Sequence, residues 1–505
     1  MQEAFMKHDE NGLDMELADS LTDNLLEITQ ELGNSSDIAI REIQIDLGDH
    51  RSIEGAIVYM AGISNLYSMI DTLLACCKNG AQQHLNPEEL LGYLENVVVS
   101  SGTVEHIDTL DDLFESLLSG ESILLLDGCK RALAIGTKEL IGRQVEEPNV
   151  QSVVRGPREG FTEVLQWNTA MLRRKIKDRN LWMETMSIGR VTKTEVVVAY
   201  VKNIVSEEVL EEVKTRLSLI DIDAILESNY IEELIEDKQN TPFSTVFNTE
   251  RPDVIAAGLL EGRVAILVDG TPFALLVPAL FTQFFQSSED YYQPANFSSL
   301  IRLLRVLSFG LALLTPSFYI AVTTFHQEML PTTLLYNLAS QREGVPFPAF
   351  VEAIMMEITF EILREASVRM PRTVGQSISI VGTLVIGQAA VEAGLVSAAM
   401  VIVVSITAMS NFVLPAFNLG ITIRIIRFLL MILAATFGLF GIFVGIIALV
   451  VHLCGISSFG VPYMSPFAPF HLSDQKDTLV RFTFPNMITR PKVFRQKNLV
   501  RQKRR

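Results

Sequence analysis

The chain has 505 residues, with 59 acidic and 41 basic side chains, a formal net charge of −18 and 49% hydrophobic residues. That length holds two or three domains, and the charge divides them: residues 1–300 carry 50 acids against 23 bases, a net of −27, while residues 301–505 carry 9 acids against 18 bases, a net of +9. An acidic first part disfavours nucleic acid as a partner, because phosphate binding needs Lys/Arg patches.

Residues 1–36 form a polar, acidic N-terminal segment, with helical spacing over 15–32. No basic region followed by an apolar run begins the chain, so no cleavable signal is expected. From residue 37 the pattern turns to mixed α/β, and a first subdomain is expected over 37–140. DIAIREIQID alternates apolar and polar residues, the period of a half-buried strand. EGAIVYMAG reads as a more buried second strand, and ISNLYSMIDTLLACC has helical spacing. Asn86-Pro87-Glu88-Glu89 is a helix start. DTLDDLFESLLSG is a helix stopped by Gly120. ESILLLDGCKRALAIG reads as a hairpin turning on the two residues Asp127-Gly128.

This arrangement recurs. SLLSGESILLLDG at 116–128 matches GLLEGRVAILVDG at 258–270, with Leu117/Leu259, Leu118/Leu260, Gly120/Gly262, Leu125/Leu267, Asp127/Asp269 and Gly128/Gly270 in register. A duplicated subdomain is therefore expected over 181–280. The linker at 141–180 contains VRGPREGFTE, whose glycines and proline rule out a regular helix, followed by the charged amphipathic VLQWNTAMLRRKIKD. Arg155, Arg158 and Glu159 read either as a packed polar junction between subdomains or subunits, or as a solvated loop.

Residues 281–456 read as a helical membrane domain. Charge-free runs at 306–325, 373–391, 393–414 and 428–451 reach the ~20 residues that span a bilayer. The aromatics Phe281, Phe284, Phe285, Tyr291 and Tyr292 suit a membrane–water interface, with Arg302 and Arg305 anchoring the first span. The stretch 347–366 is apolar but carries Glu357, Glu361 and Glu365 at i, i+4, i+8, one stripe of a helix. Carboxylates at that depth mark ion paths or water-filled cavities; the other reading is an interfacial helix, or Glu361 paired with Arg364. Gly438, Gly441 and Gly445 form a close-packing face. Four spans bring both chain ends to one side but strand Arg369, Arg372, Arg424 and Arg427 on the other. The reading taken is an even count, with 347–366 re-entrant or interfacial. Residues 457–505 form a basic tail, and positive flanks are retained inside, so both termini are expected in the cytoplasm.

Phosphate-binding, zinc and hydrolase signatures are absent from the sequence. Cys76, Cys77, Cys129 and Cys454 make no CxxC pair, which fits free thiols in a reducing compartment. His326 and His452 lie near span ends. Neither an enzyme, a metal nor a cofactor is expected. The fold class is α+β with a membrane part: duplicated cytoplasmic α/β subdomains, then a multi-span α-helical transmembrane domain.

Several runs together resemble the A subunits of GerA-type spore germinant receptors: VRGPREGFTE, TERPD with LLEGRVAILVDGTPFALLVP, EDYY, HQEMLPTTLL, FEILREASVRMPRTVGQSISIVG with IGQAAVEAGLVS, and YMSPFAPF. The resemblance covers about residues 37–490. It implies residence in the spore inner membrane, a permease-like B subunit and a lipoprotein C subunit as partners, and a ring of A subunits forming a nutrient-gated channel for monovalent cations. Glu357, Glu361 or Glu365 would then face the path, since rings of carboxylates favour cations. The alternatives are a non-conducting membrane scaffold of the same receptor and a secondary transporter.

Overall fold

A computed structural model describes residues 16–48, 51–65, 86–98, 103–138, 148, 151, 153–237, 240–369 and 387–502. The chain divides into two compact units: Met1–Glu236 with Val246–Pro278 and Thr489–Val500, and Asp237–Thr245 with Ala279–Ile488 and Arg501–Arg505. Most of the expected span 373–391 lies outside the described residues, as does most of the helical stretch expected at 63–77.

The first unit is built from two copies of one motif. The elements of the first copy are α1 (Leu21–Glu31), β1 (Ile38–Gly48), β2 (Arg51–Met60), α2 (Pro87–Val98), β3 (Val104–Ile107), α3 (Leu110–Ser119), β4 (Ser122–Leu126) and β5 (Ala132–Ile135). The second copy has α4 (Leu165–Lys175), β6 (Leu181–Ile188), β7 (Thr194–Val201), α5 (Glu207–Ser218), α6 (Ser228–Ile235), β8 (Phe247–Thr249), α7 (Pro252–Leu260), β9 (Val264–Val268) and β10 (Ala274–Val277). The strand orders correspond: β1-β2-β4-β5-β3 and β6-β7-β9-β10-β8, antiparallel throughout. Alternation along β2 sends Ala56, Val58 and Met60 into one buried cluster with α1 and α3, and Ile57 into another with α2, as the period of two requires.

The duplication reaches single hydrogen bonds. Asp127 Oδ1 accepts the Leu21 amide at 3.0 Å, and Asp269 Oδ1 accepts the Leu165 amide at 3.2 Å. The Gly128 amide donates to the Asp19 carbonyl and the Gly270 amide to the Glu163 carbonyl. Asn24 and Asn168, both buried, each bridge the amide and carbonyl of the residue six before them. Each copy therefore starts with α1 or α4, earlier than the boundaries at 37 and 181, which leave these helices in the terminal segment and the linker. The Asp127-Gly128 pair is not a two-residue hairpin turn. Pairing ends at Leu124↔Leu133, and the aspartate is drawn off to hold the first amide of its copy's opening helix.

The copies are joined within this unit by Arg173 on α4, fully buried, which donates to Asp37 through Nε (2.8 Å) and Nη2 (3.0 Å). Gly33, at φ 65°, lies so close under the Trp182 ring that a Cβ would overlap it. The basic tail is not loose: within this unit Phe494 is 1% exposed with the Arg263 guanidinium over its ring, and Lys497 and Arg495 pair with Glu207 and Glu208 on α5.

The second unit contains α8 (Ala295–Thr324), α9 (Thr332–Arg342), α10 (Ala349–Arg369), α11 (Gly387–Glu392), α12 (Ala398–Phe412) and the helical tract α13 (Phe417–Cys454). By length and composition α8 and α13 are long and apolar enough to cross a membrane. The run 428–451 is not one straight helix, however. Gly438 has φ 62° and ψ −142°, and the tract folds back there. A Cβ on Gly441 would overlap the Leu433 carbonyl, and one on Gly445 would lie 2.5 Å from Leu430 Cδ2. In a straight helix those residues would be far apart, so the two arms lie antiparallel. Hydropathy counts apolar side chains and is blind to a reversal that only glycine's backbone freedom allows.

The open end of this hairpin is fixed by Thr422, whose hydroxyl donates to the Pro242 carbonyl, and by His452, 2.9 Å from Thr241 Oγ1. Of the aromatics ahead of α8, Phe284 and Phe285 are buried and Phe281 and Tyr291 partly so. Phe281 packs with Phe243, Phe285, Phe309 and Tyr463 at centroid separations of 5.1–6.1 Å. Arg302 and Arg305 converge on the buried Asp290, and Tyr291 donates to Asp477.

Candidate functional site

The region 347–366 is a full helical element, α10, packed beside the first arm of α13. Glu357 and Arg427 form an ion pair at 2.7 Å with both side chains 2% exposed or less. One turn on, Glu361 pairs with Arg424 at 2.6 Å and lies 3.5 Å from Arg427. The i, i+4 spacing of the acids answers the i, i+3 spacing of the arginines because the two helices run antiparallel. Arg364 adds a third guanidinium, 5.7 and 5.8 Å from the ring centroids of Phe412 and Phe417. Arg427 Nε and both Glu357 oxygens are enclosed without a partner of hydrogen-bond geometry among the described residues.

Two acids and three arginines thus sit together in an otherwise apolar bundle. Removing each ion from water costs several kcal/mol, which close pairing offsets only in part. Such groups inside apolar helices are generally retained for function. At the far end of α10, Glu352 is fully buried, accepts the Ser397 amide at 2.9 Å, and lies 3.4 Å from Arg342 Nε.

The three acids of the stripe therefore have different surroundings. Glu357 faces inward against Arg427. Glu361 is partly covered and bound to Arg424 rather than to Arg364 on its own helix. Glu365 is exposed and pairs with Arg369 at 2.6 Å. The arginine partners escape sequence reading because they lie more than sixty positions away. The signal that could have found them is a pair of arginines, three apart, opening an apolar run. Of the three glycines, Gly438 makes the turn, while Gly441 and Gly445 let the arms of one chain approach.

In the first unit, the 153–160 loop is fixed from below. Arg251, 2% exposed, holds Asp253 through Nε and Nη2 and donates to the carbonyls of Gln151 and Pro157. The Phe161 amide donates to the Glu250 carbonyl. Arg155 and Arg158 stand exposed above this clamp, and Glu159 turns back to Lys175 and Arg174 on α4. Arg251 belongs to the TERPD run; nothing in its local pattern reveals a partner loop a hundred residues earlier.

A family model described as Bacillus/Clostridium GerA spore germination protein matches residues 26–493. The chain is 49% identical over 486 residues to spore germination protein KA of Bacillus subtilis (strain 168), covering 96% of this chain and 89% of that protein. It is 36% identical over 487 residues to spore germination protein GerLA of Bacillus cereus, covering 96% and 97%. Among solved structures it is similar to the N-terminal domain of the A subunit of the Bacillus megaterium spore germinant receptor GerK3, at 43% identity over 53% of this chain and 97% of that one, with a TM-score of 0.43.

Proposed function

The chain belongs to the GerA family of spore germination proteins, and from that premise we propose that its membrane helices form a path for monovalent cations, shut by the arginine–glutamate cluster. In this reading it works beside a permease-like B subunit and a lipoprotein C subunit, in a ring of A subunits in the spore inner membrane. Its soluble unit would lie on the cytoplasmic side.

The observation that carries this reading is the Glu357–Arg427 pair, with Glu361–Arg424 one turn away. In this state each acid is covered by a cation. The five charges of the cluster sum to +1, which opposes cation entry. Opening then means parting α10 from the first arm of α13, which uncovers carboxylates in every copy of the ring. The direction of the helices supports an even number of crossings. Arg364, Arg369, Arg424 and Arg427 gather at the end where the α13 hairpin opens, the side on which positive charge is retained.

The test is cation flux through the full receptor in lipid vesicles. Arg424→Gln frees Glu361 and should raise resting flux; Glu357→Gln and Glu361→Gln should lower nutrient-stimulated flux. Flux indifferent to all three, and to Glu365→Gln, overturns the role of the acids. An assembly that never conducts supports the scaffold reading. A transporter is disfavoured because the duplication lies in the soluble unit, whereas transporters repeat their spans.

A further inference from the structure

The two opening helices of the tandem copies present the same face, and among the described residues only one of these faces is covered. On α4 that face carries Gln166 and Ala170, which close on Gly62 of the first copy; a Cβ there would stand 2.9 Å from the Gln166 carbonyl and 3.3 Å from Ala170 Cβ. The corresponding residues of α1 are Thr22 and Leu26. Both are solvent-exposed, Leu26 by 58%. Asp23 and Glu27 flank Leu26, so a bare apolar residue lies in an acidic setting on the end of the tandem.

The same unit carries a bare apolar residue in a basic setting. Val154 is 85% exposed. Arg155 follows it, and Arg158 is exposed three residues further on. The loop's shape is set by the buried Arg251–Asp253 pair described above. That pair carries a desolvation cost and spends its remaining donors on the carbonyls of Gln151 and Pro157. A rigid, projecting loop loses little entropy when it docks.

We propose that the Val154–Arg158 loop of one copy of this chain docks on the α1 face of a second copy, Val154 against Leu26 and the arginines against Asp23 and Glu27. The occupant is a second copy because the complementary surfaces are both on this chain, one basic and one acidic, each with an exposed apolar centre. The two surfaces differ, so the contact is heterologous and propagates around a ring. This rests on the oligomeric reading above and adds to it which surfaces meet.

The test uses full-length protein in detergent. Leu26→Cys and Val154→Cys chains, differently tagged, are mixed and oxidised. A reducible dimer carrying both tags, above the background given by the native cysteines of the unmodified chain, is the expected result. In parallel, Arg155→Glu with Arg158→Glu, or Asp23→Lys with Glu27→Lys, should weaken association more than about tenfold, and the chain bearing all four should recover it, since like charges facing each other oppose docking. Oligomers that persist without the mixed cross-link and ignore the charge reversals overturn this contact alone. A chain that is monomeric under every condition overturns the ring as well.

Discussion

Arg173 and Asp37 meet 136 positions apart with two hydrogen bonds, 2.8 and 3.0 Å, at the junction of the two tandem copies. The guanidinium is fully buried and the carboxylate nearly so. Removing one partner leaves the other charge enclosed and uncompensated, which costs about 3–5 kcal/mol. Arg173→Ala is therefore expected to loosen the junction before either sheet. Hydrogen exchange checks this: protection of the Ser36 amide, which donates to the Met183 carbonyl, and of the Met183 amide, which donates to Ser35 Oγ, should fall first. Unchanged protection there would contradict the bridging role.

Asp127 and Asp269 each hold the first amide of their copy's opening helix. Replacing either by Ala removes a charge-assisted bond of the capping kind, worth about 1–2 kcal/mol. The two losses should be similar and independent, since the sites share no partner. Thermal unfolding of the single and double variants tests this; additivity within about 0.5 kcal/mol is expected for separate sites.

Phe494 fills a site beside Gly262 and Arg263 in the second copy, and Gln496 Cβ lies 2.9 Å from where a Gly262 Cβ would stand. Truncating a buried Phe to Ala costs about 3–5 kcal/mol. Phe494→Ala should release the 489–500 segment, and limited proteolysis should then cut there while the sheets remain intact. Resistance equal to that of the unmodified chain would mean that the pairs to Glu207 and Glu208 suffice alone.

Burial, reinforced by Glu88, Asp127 and Asp19, pushes the Cys129 thiol from 9.0 up to about 11. The folded state thus keeps a proton that the unfolded state gives up earlier. Its contribution to stability is complete below pH 9 and is lost as pH rises from 9 to 11. Between those values the unmodified protein should lose stability more steeply than Cys129→Ala. At pH 8 the native thiol should resist alkylation, because the thiolate is the reactive form.

Gly438→Ala is expected to be poorly tolerated. The position combines positive φ with neighbours 2.9 Å (His326 Nε2) and 3.0 Å (Phe325 Cβ) from the added carbon. Gly310, where a Cβ would meet open space, is the control. Gly310→Ala should leave yield and melting unchanged, and equal behaviour of the two variants would contradict the reversal.

The fold of the first unit was legible wherever the signal was local. The strand period of DIAIREIQID, the Pro87 start and the Gly120 stop all match elements, and the six matched positions around Asp127 and Asp269 disclose the duplication. What stayed hidden depends on distance along the chain. Leu21–Glu31 and Leu165–Lys175 read as helices, but their place in the motif is fixed by aspartates about a hundred residues later. The acid stripe was visible, but its neutralisation was not, because Glu357 finds Arg427 only once two helices pack. Gly438, Gly441 and Gly445 stand out in the sequence as a group, yet composition cannot separate a glycine that permits close approach from one that reverses the chain.

That reversal has a bearing on where the chain goes next. Straight, the tract from Phe417 to Cys454 would be about 57 Å long at 1.5 Å per residue, and everything after it would leave from its far end. Folded, it returns its last residue to the level of its first. One backbone angle at Gly438 therefore decides from which end of the tract the final fifty residues leave, and with them ten of the eighteen cationic side chains of residues 301–505.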